Sequence, residues 1–298
     1  METLPLVSVI INTRNRPALI LRAVQSVLTQ DYPNFELLLV DASTNEETRE
    51  IAESLNDQRL KYHRITDEEY FAKTFFFAIS IAEGAYIAFN DDDDEWISEK
   101  KLSKQVALIE SLPDDYGVVY CWWEMWYDDV NKLIAINRKS NRGYLFEKML
   151  YGNAALGTPA LLIKRDLLCE VKDLMDSPDI LPSDHFLLTY ISKKYRFDFV
   201  PEVMVRCHER HVYGSMNKTI CTRFSHKHRI NLQLLFLNTF SEDYLKMPKA
   251  RKKKYEIIIF HSIKSLEAKT FIIYILRHLN EFRDFRFFLK AYLNLFLQ

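Results

Sequence analysis

A chain of 298 residues, 48% apolar and 13% aromatic, has enough apolar surface to bury a substantial core, as one large domain or one domain with a smaller lobe. The net charge of −1 hides a polarised distribution: residues 1–215 carry 24 Lys and Arg against 35 Asp and Glu, whereas 216–298 carry 16 against 6. Four widely spaced cysteines, Cys121, Cys169, Cys207 and Cys221, form no C-x-x-C pair, which argues against a zinc site or disulfide scaffold and suits a reducing compartment.

The opening METLPLVSVIINTR lacks the basic n-region and long apolar run of a signal peptide, so the mature chain is expected to start near Met1. No apolar run approaches the ~18 residues of a membrane span, and a cytoplasmic protein is expected. LVSVIIN (Leu6–Asn12) reads as a buried strand, followed by a loop and by Pro17, a residue that the first turn of a helix accepts. Leu21, Val24, Val27 and Leu28 then recur at helical spacing. FELLLVD (Phe35–Asp41) is a second strand, Asn45 is placed to cap a helix beginning EETREIAESL, and Leu60–Ile65 is a third strand. Tyr70–Glu83 reads as a helix and Ala85–Phe89 as a fourth strand. This βαβαβαβ order, with strands apolar on both faces, predicts an α/β fold: a Rossmann-like, mostly parallel sheet flanked by helices.

In such a sheet ligands sit outside the carboxyl ends of the strands, so Asn12–Arg16, Asp41–Ser43 and Asn90–Asp94 are expected to converge at one edge. Six glycines in the whole chain and no glycine-rich phosphate motif leave a metal as the expected counter-charge for any phosphate there. The run Asp91-Asp92-Asp93-Asp94 supplies the hard oxygen ligands that magnesium or manganese prefers. A solvated acidic loop capping the next helix is the plainer use of such a run. Its position straight after the buried GAYIAF favours the metal.

SVIINTRNRPALILRAVQSVLTQDYPNFELLLVDAS, with AEGAYIAFNDDDDEWISEKKLSKQ, resembles the inverting family 2 glycosyltransferases of GT-A fold over about residues 6–215. The resemblance implies a nucleotide-sugar-binding half at 1–97, an acceptor half at 98–215, and a basic, aromatic-rich helical extension at 216–298. It implies transfer of a sugar from a nucleoside diphosphate sugar to an acceptor hydroxyl with inversion, as in assembly of a surface polysaccharide, with a divalent cation (Mn or Mg) bridging the diphosphate.

Carried over position by position, Asp91-Asp92-Asp93 stands at the family's D-x-D, with Asp93 as direct metal ligand. Asp91 or Asp92 then addresses donor ribose, sugar or metal-bound water. Asn12, Thr13 and Arg14 frame the base, and Asp41 stands where the family has an acidic pair, here broken by Ala42. Lys73 matches a position often held by arginine, and His211, in VRCHERHVYGS, matches a histidine near the diphosphate better than His208 does. Asp184, with Ser183 in place of the commoner Glu, is the expected catalytic base. Ser183 or Asp184 would also serve simply as a helix cap. The tryptophans of CWWEMWYDD (Cys121–Asp129) suit core packing or an acceptor sugar, and Thr158-Pro159 shapes either a strand entrance or the acceptor pocket.

The basic apolar segments ARKKKYEIIIFHSIKSL and FRDFRFFLKAYLNLFLQ suit helices that pack on a core, or that lie on an anionic membrane and collect a lipid-linked saccharide acceptor. No nucleic-acid-binding module is recognisable. A nucleotidyltransferase would need a glycine-rich basic loop after the first strand, which is missing. A catalytically inactive nucleotide-sugar-binding or scaffold protein stays open, because Ala42 and Ser183 both replace expected carboxylates.

Overall fold

Four parallel strands, β1 (Val7–Thr13), β2 (Phe35–Asp41), β3 (Leu60–Arg64) and β4 (Tyr86–Asp91), form the first half of one sheet in a computed structural model of the protein. The structure describes residues 4–65, 70–154, 156–175, 183–209, 226–265 and 267–284, together with 286, 287 and 291. Helices α1 (Pro17–Leu28), α2 (Glu47–Ser54) and α3 (Tyr70–Ile81) make the crossovers. Helix α2 differs from the sequence expectation at its start: Glu46, not Asn45, is the N-cap, and the Asn45 amide instead reaches Glu47 at 3.0 Å. Strand β3 is only half-buried because it lies at the sheet's edge, with a single strand neighbour.

The second half of the sheet is less regular, and its strands have no clear period in the sequence. It contains β5 (Glu95–Trp96), β6 (Tyr116–Tyr127), β7 (Lys132–Asn137), β8 (Leu161–Lys164) and β9 (Arg196–Glu209). Short β8 runs antiparallel between β4 and β6, while β6 and β9 pair in parallel with register shifts at Cys121/Trp122 and Trp122/Trp123. Helices α4 (Lys101–Glu110), α5 (Phe146–Leu150), α6 (Arg165–Met175) and α7 (Asp184–Ser192) accompany these strands. One apolar cluster ties the halves together, from Val9 and Leu39 through Ala88 and Trp96 to Val119 and Val205.

Gly84 lets β1 and β4 approach at their amino ends. A Cβ there would stand 2.5 Å from the Ser8 backbone nitrogen and 2.8 Å from the Leu6 carbonyl. Both obstacles are backbone, so Gly84→Ala is expected to cost about 1–3 kcal/mol; an unchanged urea midpoint would contradict this.

The chain divides into two compact units, Met1–Asp176 with Pro182–Met216, and Asn217–Gln298 with Ser177–Leu181. The described part of the second unit consists of α8 (His226–Thr239), α9 (Ser241–Lys246), α10 (Pro248–Lys264) and α11 (Ala268–Phe282). Its core is aliphatic and aromatic: Ile258, Ile259 and Ile263 of α10 meet Phe271 and Ile275 of α11, and Tyr255 contacts Tyr274 edge-on.

Candidate active site

The sheet topology carries the three predicted loops to one edge. Asn12 is in register with Val40 and Asp91, and Thr13 with Asp41, so the ends of β1, β2 and β4 lie side by side. Asp91 closes β4, and its carbonyl accepts the Asp94 N–H at 3.2 Å, so the aspartate run folds into a tight turn.

The turn sorts its four carboxylates by partner. Asp92 is buried and accepts the Thr13 hydroxyl at 2.8 Å, and it pairs with the Arg16 guanidinium. Asp94 is also buried and accepts the backbone N–H of His208 at 2.9 Å, fastening the turn to β9. Asp93 has Arg16 at 3.5 Å, while Arg22 donates to its backbone carbonyl at 2.6 Å. The Asp91 carboxylate is solvent-accessible and has no hydrogen-bonding partner among the described residues. Two acids therefore hold the turn in place, Asp93 is held less tightly, and Asp91 is left open to solvent.

Electrostatics follow from this crowding. Burial within the surrounding protein and then the charges of Asp94, Asp93, Asp92 and Asp184 push Asp91 well above the usual carboxylate range. Burial raises Asp92 to about 6, against the pull of Arg16, and burial with the Asp93 charge raises Asp94 to about 7. A carboxyl raised on folding holds a proton that the unfolded chain has already lost, so its stabilisation is present at low pH and disappears as pH rises from about 4 to about 7. Without metal, the urea midpoint is expected to fall between pH 5 and pH 8, by on the order of a few kcal/mol in stability. The fall should be smaller in Asp94→Asn, and a midpoint that rises over this range would refute the prediction.

Asp41 is fully buried, with both oxygens engaged: Oδ1 accepts the Ser43 N–H at 2.7 Å and Oδ2 the Tyr62 hydroxyl at 2.8 Å, with Arg64 at 3.9 Å. Asn15, with φ of 55°, bridges the first two loops by accepting the Thr44 N–H at 2.8 Å. Asn12 and Arg14 are half-buried beside them. Asp184 opens α7, near enough to Asp91 to raise it, and accepts the Thr158 hydroxyl at 2.9 Å. Ser183 is the cap of α7, accepting the Phe186 N–H at 3.3 Å.

Two of the proposed donor-site residues are not placed: His211 lies outside the described residues, and of Lys73 only the helical backbone is described. The His208 ring faces Asp128 and Glu95 in an ion-pair cluster. Burial lowers its pKa, but hydrogen bonds to those two carboxylates outweigh this and the net direction is up. Sequence reasoning missed Arg16 and Arg22 as partners of the aspartate turn, although an arginine just before Pro17 and another within the helix that follows were visible signals. It also missed Tyr62 and Arg64, whose relevance depends on β3 lying next to β2.

Comparisons with known proteins agree with this architecture. The model of the family described as "Glycosyl transferase family 2" matches residues 8–166. A putative colanic acid biosynthesis glycosyl transferase, WcaA of Escherichia coli (strain K12), is 41% identical over 114 residues, 38% of this chain and 40% of that protein. The Escherichia coli UDP-Glc:alpha-D-GlcNAc-diphosphoundecaprenol beta-1,3-glucosyltransferase WfgD is 28% identical over 190 residues, 63% of this chain and 70% of that one. The first three curated relatives are matched over only 40–42% of their length. Among solved structures, S. aureus TarS 1-349 in complex with UDP-GlcNAc superposes with a TM-score of 0.61 at 18% identity, covering 92% of this chain and 81% of that one. The mannosyltransferase PcManGT from Pyrobaculum calidifontis, in complex with GDP-Man and Mn2+, gives 0.58 at 18% identity, covering 93% and 75%. A parallel half joined through an antiparallel strand to a second half, together with a family match over more than half of the chain, leads to one assignment: this protein belongs to glycosyl transferase family 2 and has the GT-A fold.

Proposed function

We propose that this protein is an active, metal-dependent, inverting glycosyltransferase that moves a sugar from a nucleoside diphosphate sugar to an acceptor hydroxyl. The observation that carries this reading is the sorting of the aspartate turn: Asp92 and Asp94 are tied into the protein, while Asp91 is solvent-accessible near Asp184 and Asp93 meets only the edge of the Arg16 guanidinium, at 3.5 Å. Adjacent hard carboxylate oxygens of this kind fit a magnesium or manganese ion. Asp93 and Asp91 would hold it, and the cation would neutralise charge on the departing diphosphate.

The remaining work falls to the chain itself. Asn12, Thr13, Arg14 and Asp41 frame the nucleoside, with Asp92 and Arg16 keeping the first loop against the aspartate turn; Lys73 and His211 are assigned to the diphosphate side. Asp184 accepts the proton of the acceptor hydroxyl as its oxygen bonds to the anomeric carbon. The bond from that carbon to the diphosphate oxygen breaks on the opposite face, and the diphosphate leaves with the electron pair. One displacement of this kind inverts the configuration.

WfgD and a second Escherichia coli relative, WfaP, are both named as UDP-Glc:alpha-D-GlcNAc-diphosphoundecaprenol beta-1,3-glucosyltransferases, which add glucose to a lipid-linked sugar. A UDP-sugar donor and a lipid-linked saccharide acceptor in polysaccharide assembly are therefore proposed here, with a cytoplasmic site of action. Among the described residues no helix is long and apolar enough to cross a membrane. The outer face of α11 presents Ile272, Ile273 and Leu276 beside Lys269 and Arg277, which suits peripheral contact with an anionic leaflet. Flotation with anionic liposomes is expected at low salt and should weaken in Ile272→Ser/Leu276→Ser; no association at low salt would remove that contact.

The main test is a panel of UDP- and GDP-sugars with Mn2+, read as release of nucleoside diphosphate. Metal-dependent release supports the enzyme. Tight binding without release would favour the catalytically inactive alternative suggested by Ala42.

A further inference from the structure

Because Ser183 caps α7, the Asp184 carboxylate is held by other groups. Oδ1 accepts the His185 N–H at 2.6 Å and Oδ2 accepts the Thr158 hydroxyl at 2.9 Å. Each carboxylate oxygen retains a further lone pair for an incoming hydroxyl.

Thr158 is itself firmly placed. It opens the 3-10 turn Thr158–Ala160, and residues just past the aspartate run clamp that turn. The Trp96 indole N–H donates to the Pro159 carbonyl at 3.1 Å, and the Gln105 amide donates to the Ala160 carbonyl at 2.8 Å. Gln105 in turn accepts the buried Lys101 ammonium at 2.8 Å, and that ammonium lies 3.9 Å from the Trp96 ring centroid. On the other side of the turn, Trp123 lies so close to Gly157 that a Cβ there would be 3.1 Å from its Nε1. A continuous set of contacts thus runs from the strand after the aspartates, through the turn, to the carboxylate of α7.

We infer that Thr158 is a positioning residue for Asp184: held in a turn clamped by Trp96 and Gln105, its hydroxyl fixes the orientation of the carboxylate. This rests on Asp184 being the base. The clamp would keep the base aimed at the acceptor hydroxyl. The aspartate turn and the base would then be held in fixed relation by one set of side chains.

The test compares Thr158→Val, Thr158→Ser, Trp96→Phe and Asp184→Asn with the unaltered protein. Each is read as kcat and KM for the UDP-sugar donor with acceptor present, beside a melting curve. Thr158→Val is expected to lower kcat by about 3- to 10-fold, the size of one hydrogen bond, with the donor KM and the melting temperature little changed. Thr158→Ser, which keeps the hydroxyl, should restore kcat, and Trp96→Phe should lower it by less. An unchanged kcat in Thr158→Val, with Asp184→Asn inactive, overturns this inference alone. Full transfer by Asp184→Asn overturns the base assignment and this inference with it.

Discussion

Asp184→Asn is expected to lower kcat by about 10²- to 10⁴-fold, the usual contribution of a general base, with the donor KM little changed. The amide is nearly isosteric and its oxygen still accepts the Thr158 hydroxyl, so the side chain stays in place but no longer takes a proton. The helix should survive, because Ser183 provides the cap and Phe186, Leu187, Leu188 and Ile191 of α7 are buried. Nucleoside diphosphate release in the presence of acceptor, alongside a melting curve, separates lost chemistry from lost fold. Undiminished turnover would remove Asp184 from the mechanism.

Asp93→Ala is expected to reduce transfer by roughly 10³-fold, as befits losing several kcal/mol of charge stabilisation on the leaving diphosphate. Chelation should abolish activity in the unaltered protein, and added Mn2+ should restore it. The substitution leaves Asp92 on Thr13 and Arg16, Asp94 on His208, and the Arg22 contact to the backbone carbonyl of residue 93, so the turn keeps its fastenings. Full activity in Asp93→Ala, or transfer unaffected by chelation, would end the metal assignment. The same variant should lose Mn2+-dependent thermal stabilisation in the presence of nucleotide, since a ligand that binds only the folded state raises apparent stability.

The two sites differ in how they could be found. The aspartate run announces itself, because four adjacent carboxylates after a buried strand demand an explanation. Which acids face outward was not legible: Asp92 and Asp94 are spent on Thr13, Arg16 and the His208 amide, partners 79, 76 and 114 residues away in sequence. Asp184 was legible only through a resemblance, since Ser-Asp before an apolar run reads equally well as a cap. The structure gives the cap to Ser183 and the Thr158 contact to Asp184.

Local pattern by itself determined the first half of the fold. Val9 and Ile11, Leu37 and Leu39, and Ile87 and Ala88 lie in continuous apolar runs that only strands covered on both faces can bury, and the intervening helices follow from 3.6-residue periodicity. The second half was decided by tertiary structure. Strand β8 has four residues, β5 has two, and β6 carries tryptophans through register shifts that break its alternation. Such short or irregular strands have little period of their own; they exist because a neighbouring strand supplies their hydrogen bonds. The same dependence on distant partners placed Thr158 against Asp184, tied Asp92 and Asp94 into the protein, and left Asp91 open to solvent.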